Sequence, residues 1–137
     1  MALAQNRIHA LGDELFAALR SRTVLSPLTE REPGIAIADA YQISLRLLGR
    51  RIAEGERVIG KKIGVTSKPV QDMLGVHQPD FGFLTDRMWV ADGSCISLKR
   101  DGMIQPRAEG EIAFVLKQDL RGPGITAEQV LDATDYV

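Results

Sequence analysis

Apolar residues recur at three- and four-residue steps at Ile8, Leu11, Leu15 and Leu19, with Phe16 and Ala18 widening the stripe. This spacing predicts an amphipathic helix near the start of the chain. Arg20 and Arg22 lie near its expected end, ahead of Ser26-Pro27. The stretch from Leu25 to Gly34 carries Pro27 and Pro33 and reads as a loop. A second helix is predicted from Ala38 or Asp39, with a stripe of Tyr41, Leu45, Leu48 and Ile52 flanked by Ile43 and Leu47. Arg46, Arg50 and Arg51 are expected on its opposite side, and Gly55 as its stop. Both helices read as packing elements without chemistry.

After Gly55 the pattern changes. Residues 57–66 (RVIGKKIGVT) are rich in β-branched side chains and predict a strand. Residues 68–74 predict a short helix with Pro69 near its first position. Residues 75–85 (GVHQPDFGFLT) read as a loop ending in a short apolar run. Residues 88–90 and 95–98 are strand candidates around an Asp92-Gly93 turn. Residues 107–117 (RAEGEIAFVLK) give the clearest strand pattern, and Gly122-Pro123-Gly124 marks a turn. Thr126 with Gln129 forms a capping box for a last helix from Ala127 to about Thr134. An apolar run opens at Tyr136-Val137, which raises the expectation of a longer protein.

Composition adds mainly exclusions. The 137 residues are 45% hydrophobic and 26% charged, so disordered, collagen and coiled-coil classes do not fit. Lys and Arg number 17 against 18 Asp and Glu, which gives no basic field for nucleic acid. No uncharged apolar run reaches the ~18–20 residues of a membrane helix. The N-terminal stretch lacks the apolar core of a secretory signal. Cys95 is the single cysteine, in keeping with a reducing cytoplasm. There is no internal repeat.

Three places offer chemistry. Alternation along 107–117 places Ala108, Gly110, Ile112, Phe114 and Leu116 on one face, expected to be core. The other face carries Arg107, Glu109, Glu111, Ala113, Val115 and Lys117. Glu109 and Glu111 then point the same way, either as two hard oxygen donors for Mg²⁺ or Mn²⁺ or as the charged outer face of a half-exposed strand. In the strand at Arg57, Lys62 shares a face with Val58, Gly60, Gly64 and Thr66. Glycines around a lysine fit either close approach of an anionic ligand or tight backbone packing with the lysine reaching to water. Asp80 follows Pro79 in a glycine-bounded loop, as a general base, as an orienting partner for Lys62, or as a turn residue bonding its own backbone. No G-x-S-x-G, Walker A or G-x-G-x-x-G is present.

The segments GKKIGVTS (60–67), MLGVHQPDFGFLTD (73–86) and IQPRAEGEIAFVLKQDLRGPGIT (104–126) resemble the 2-hydroxypenta-2,4-dienoate hydratases. These belong to the fumarylacetoacetate hydrolase-like superfamily. GDELFAAL and DAYQISLRLLGRRIAEGERVIGKK extend the likeness over nearly the whole chain. The resemblance implies an α+β fold: a helical region over 1–55, then over 56–137 the start of a mixed β-roll or barrel-like core. It implies a metal-dependent hydro-lyase of meta-cleavage catabolism, acting on a small 2-hydroxydienoate and assembling as a homo-oligomer. Glu109 and Glu111 match the family's ligands for Mg²⁺ or Mn²⁺, Lys62 and Asp80 its catalytic positions, and Leu74 an apolar position near the substrate. A third acidic ligand is implied beyond Val137. The related 4-oxalocrotonate decarboxylases and the acylpyruvate C–C hydrolases are the enzyme alternatives, and an assembly module the non-enzymatic one.

Overall fold

The periodic apolar positions form helices where they predict them. A computed structural model describes residues 2–137 of the chain. Helix α1 spans Gln5–Ser21 and buries Ile8, Leu11, Gly12 and Phe16. A four-residue helix, α2 (Leu28–Arg31), sits inside the stretch expected to be loop, entered from Pro27. Helix α3 covers Ile37–Ala53, and Gly55 follows it in the left-handed region at φ +90°. The described residues divide into two compact units, one reaching to Ile104 and the other over Gln105–Val137.

In the first unit α1 packs on α3 through Ile8, Leu11 and Ile43, joined by Leu3, Leu15, Leu28 and Ile35. The helices approach so closely at Gly12 that a Cβ there would stand 2.5 Å from Cγ of Arg46. The inward face of α3 is not the expected stripe. Ile43 and Leu48 are buried, whereas Leu45 and Ile52 are exposed. The arginines are not all on the outer side: Arg51 is buried and Arg46 half-buried, whereas Arg50 is exposed. Arg46 makes two hydrogen bonds to Asp13, at 2.9 and 2.8 Å, and Arg50 a third at 3.0 Å. Arg51 is buried. Asp39, also buried, accepts from the backbone N–H groups of Ala36 and Leu3, fixing the start of α3.

Strands β1 (Val58–Gly64) and β2 (Asp80–Thr85) form an antiparallel hairpin, with α4 (Lys68–Leu74) between them. Residues 75–85 are therefore not all loop: pairing with β1 draws Asp80–Thr85 into the sheet. The base of the hairpin is held by a buried carboxylate. Glu56 accepts from Arg51 Nε at 2.7 Å, Thr85 Oγ1 at 2.6 Å and Arg20 Nη2 at 2.8 Å. Arg20 comes from α1 and Arg51 from α3, so one side chain ties both helices to the sheet. Arg57 and Asp86 close the same end through N–H···O bonds of 3.0 and 2.9 Å.

Burial alone would push the Glu56 carboxyl up, but hydrogen bonds from Thr85, Arg20 and Arg51, with the Arg51 charge, hold it down to about 2. A folded pKa below the unfolded value stabilises the fold above the unfolded pKa, here about 4.5, and that contribution is lost as pH falls toward 2. Its size is on the order of 3 kcal/mol. Glu56→Gln is expected to remove a similar amount at pH 7, because two arginines lose their anionic partner. Urea unfolding between pH 2 and 7 checks this: the variant should lose much of the acid-limb slope of the parent.

Residues 88–90 and 95–98 are not strands. Asp86–Met88 is a 3-10 turn and the rest is turn and irregular chain, with Asp92 accepting from the Gly93 N–H at 2.9 Å. No neighbouring strand supplies a ladder to these residues among those described.

In the second unit β3 (Val115–Leu116) pairs antiparallel with β4 (Thr134–Tyr136), and α5 (Ala127–Ala133) lies between them. The capping box forms as predicted: Thr126 Oγ1 accepts from the Gln129 N–H at 3.2 Å, and the Gln129 side chain accepts from the Thr126 N–H at 2.8 Å. The long strand expected over 107–117 is reduced to Val115–Leu116. Its expected core face lies open, with Ile112 75% and Phe114 50% exposed. A strand is stabilised by a paired neighbour, and among the described residues none pairs with 107–114.

Candidate functional site

The hairpin register decides which predicted residues meet. Lys62 lies opposite Gly82, and Gly64 opposite Asp80. Side chains alternate between the two faces, so Lys62 and Asp80 share a face with Gly60, Gly64, Gly82 and Leu84. They are diagonal neighbours, a relation that puts Cβ atoms within about 7–8 Å. The three glycines leave the surface around Lys62 low. At Gly64 the space is filled by the acid: a Cβ there would stand 2.5 Å from Asp80 Oδ1. The glycine therefore sets where the carboxylate rests.

The opposite face is aromatic. The Lys61 ammonium lies 5.4 Å from the Phe81 ring centre and 5.5 Å from that of Phe83. Tyr41 of α3 stacks on Phe81, with centroids 5.0 Å apart. Adjacent lysines thus have different surroundings, one on aromatic rings and one among glycines.

Asp80 and Leu74 also line a cavity of about 350 Å³ between α3, the end of α4 and the start of β2. Gly75, at φ +67°, ends α4 and lets the chain turn toward β2. The other walls include Ile37, Ala40, Tyr41 and Val76. Sequence reasoning missed the α3 members, having read that helix as packing alone. The one available signal was Tyr41, a residue with a polar tip inside an apolar stripe.

Glu109 and Glu111 belong to the second unit, and both are exposed in irregular chain. The paired-strand geometry expected to aim both carboxylates one way is not formed at these two residues. Two carboxylates are hard, anionic oxygen donors of the kind that suits a divalent ion, but fewer than such an ion takes. Among the described residues no group of three His, Cys, Asp or Glu side chains is placed to hold a metal.

No family model matches the chain. It is 65% identical over 130 residues to a 2-hydroxyhexa-2,4-dienoate hydratase of Comamonas testosteroni, covering 95% of this chain and 49% of that protein. It is 61% identical over 130 residues to a 2-hydroxypent-2,4-dienoate hydratase of Pseudomonas putida, covering 95% of this chain and 58% of that one. The chain thus spans about half the length of the curated relatives it matches. Its fold is shared with 4-oxalocrotonate decarboxylase from Pseudomonas putida G7, solved with magnesium and adipate, at a TM-score of 0.89 and 32% identity over 98% of this chain and half of that one. The same decarboxylase solved with calcium and acetate matches at a TM-score of 0.90. By sequence the chain is similar to the N-terminal half of 2-hydroxydienoate hydratases, and by fold to half of a 4-oxalocrotonate decarboxylase.

Proposed function

We propose that the protein carrying this chain is a hydro-lyase that adds water to a 2-hydroxypenta-2,4-dienoate to give 4-hydroxy-2-oxopentanoate. The observation that carries the reading is the hairpin register, which sets Lys62 and Asp80 side by side on a glycine-lined face, in a chain 65% identical to a hydratase. In this proposal residues 1–55 form a helical region and residues 56–137 begin a β-roll catalytic core.

Lys62 is assigned to the anionic end of the substrate, where its ammonium neutralises the carboxylate or the developing oxyanion. Asp80 is assigned to proton movement: as the 2-hydroxyl loses its proton, the terminal carbon gains one, and water then adds across the carbon–carbon double bond that remains. Leu74 packs against the hydrocarbon part. Glu109 and Glu111 are assigned to a divalent ion, Mg²⁺ or Mn²⁺, with further ligands outside the described residues. Such an ion supplies Lewis-acid polarisation of the substrate's oxygens.

The test uses freshly generated dienol and the full-length protein. Ultraviolet absorbance of the dienol should decay, the decay should stop on adding a chelator, and no CO₂ should appear. Chelator-sensitive decay with CO₂ release would assign the decarboxylase reaction instead. The absence of decay would refute both.

A further inference from the structure

We infer that Gln71 is a positioning residue for Asp80: its side-chain amide latches Val65 in a left-handed backbone conformation and so fixes Gly64 against the Asp80 carboxylate. The inference rests on the hydratase reading, in which Asp80 moves the proton. Three observations carry it. First, the Gly64–Asp80 pair is the last rung of the β1–β2 ladder. Its fit is tight, since a Cβ on Gly64 would stand 2.5 Å from Asp80 Oδ1. A rung at the end of a ladder is held from one side only, so the connection leaving it decides where it rests. Second, Val65 is the first residue of that connection, and it sits at φ +54°. A β-branched side chain is a genuine outlier there. Arg22 and Gln105 are the other described non-glycine residues with positive φ, and neither is β-branched. Such a conformation persists only where its surroundings over-determine it. Third, those surroundings include a latch. Gln71 Nε2 donates to the Val65 carbonyl at 2.9 Å, and both residues are half-buried.

Gln71 is itself anchored at both ends of α4. Its backbone N–H donates to the Ser67 carbonyl at 3.0 Å, and its carbonyl accepts from the Val76 N–H at 3.0 Å. One residue thus ties the entry to α4, its exit and the strained corner. Without the amide, Val65 relaxes toward negative φ and Gly64 is re-aimed relative to Asp80. Displacing a catalytic group by about 1 Å can cost about 10²-fold. Glycine reaches positive φ without strain, so with glycine at this corner the latch has nothing to hold. A general packing role for Gln71 would cost the same whichever residue occupies the corner.

The experiment is a double-variant cycle on the full-length protein, with Gln71→Met, Val65→Gly and the two together. It reads kcat and KM for 2-hydroxypenta-2,4-dienoate, Mg²⁺ affinity and the thermal midpoint. Gln71→Met keeps the length of the side chain and removes the donor. On the parent background it should lower kcat by about tenfold or more, with KM and Mg²⁺ affinity changed by less than about threefold. On the Val65→Gly background the same change should lower kcat by less than about threefold. Gln71→Glu, which replaces the donor by a second acceptor, repeats the cycle if the thioether disturbs folding. An unaffected kcat in the Gln71 variant, or a loss of equal size on both backgrounds, would overturn the latch and leave the hydratase reading intact. No turnover by the parent would overturn both.

Discussion

Glu109→Gln and Glu111→Gln, each made in the full-length protein, are expected to lower kcat/KM for the dienoate by about 10³-fold and to weaken divalent-ion binding together with it. Each change is isosteric and removes one anionic oxygen donor, so folding should be spared while the ion loses a ligand. The Lewis acid contributes several kcal/mol of charge stabilisation, and a tenfold change in rate corresponds to about 1.4 kcal/mol. Loss of roughly 4 kcal/mol therefore matches the stated factor. Calorimetric titration with Mg²⁺ supplies a readout independent of turnover. Full activity with an unchanged metal response in both variants would overturn the ligand assignment. Both side chains are exposed in irregular chain, so neither change removes a buried contact.

Lys62→Met and Asp80→Asn form the second large prediction. Both residues stand on the glycine-lined face of the β1–β2 hairpin. Removal of a positioned acid–base group such as Asp80 costs about 10²–10⁴-fold and loss of an oxyanion-stabilising group such as Lys62 about 10²–10³-fold, and each variant is expected to lose kcat within its range while keeping its ion affinity. This separates them from the Glu109 and Glu111 variants, in which affinity falls too. Gly64→Ala provides a control on geometry. Its Cβ would intrude to 2.5 Å from Asp80 Oδ1, so the carboxylate must move although its chemistry is untouched. Activity should drop substantially with an unaltered thermal midpoint. If Gly64→Ala is fully active, the resting position of Asp80 is irrelevant to the reaction.

What the sequence disclosed divides along a physical line. Helices α1 and α3 were legible because periodicity is a local property, and so was the Thr126–Gln129 cap. The rotation of α3 was not. Counting apolar residues assigned Leu45 and Ile52 to the interior, whereas both are exposed, and α3 instead pairs Arg46 and Arg50 with Asp13 and Arg51 with Glu56. Long-range charge pairing carries no periodic signature. Strands were legible only where a partner lies within the described residues. Val58–Gly64 found Asp80–Thr85 across α4, and Pro79 immediately before that strand is a tolerated place for proline. Residues 107–114 have an equally good strand pattern and no ladder among the described residues. For the candidate site, the alternation argument put Lys62 on the glycine face correctly. The meeting of Lys62 with Asp80 needed the register, and the cavity needed Tyr41 to reach Phe81, forty residues away in sequence.

The most direct test of the metal assignment is anomalous diffraction from crystals of the full-length protein grown with Mn²⁺. The account predicts one strong peak within about 2.2 Å of carboxylate oxygens from both Glu109 and Glu111. A peak bound elsewhere, with those two carboxylates in bulk solvent, would contradict it.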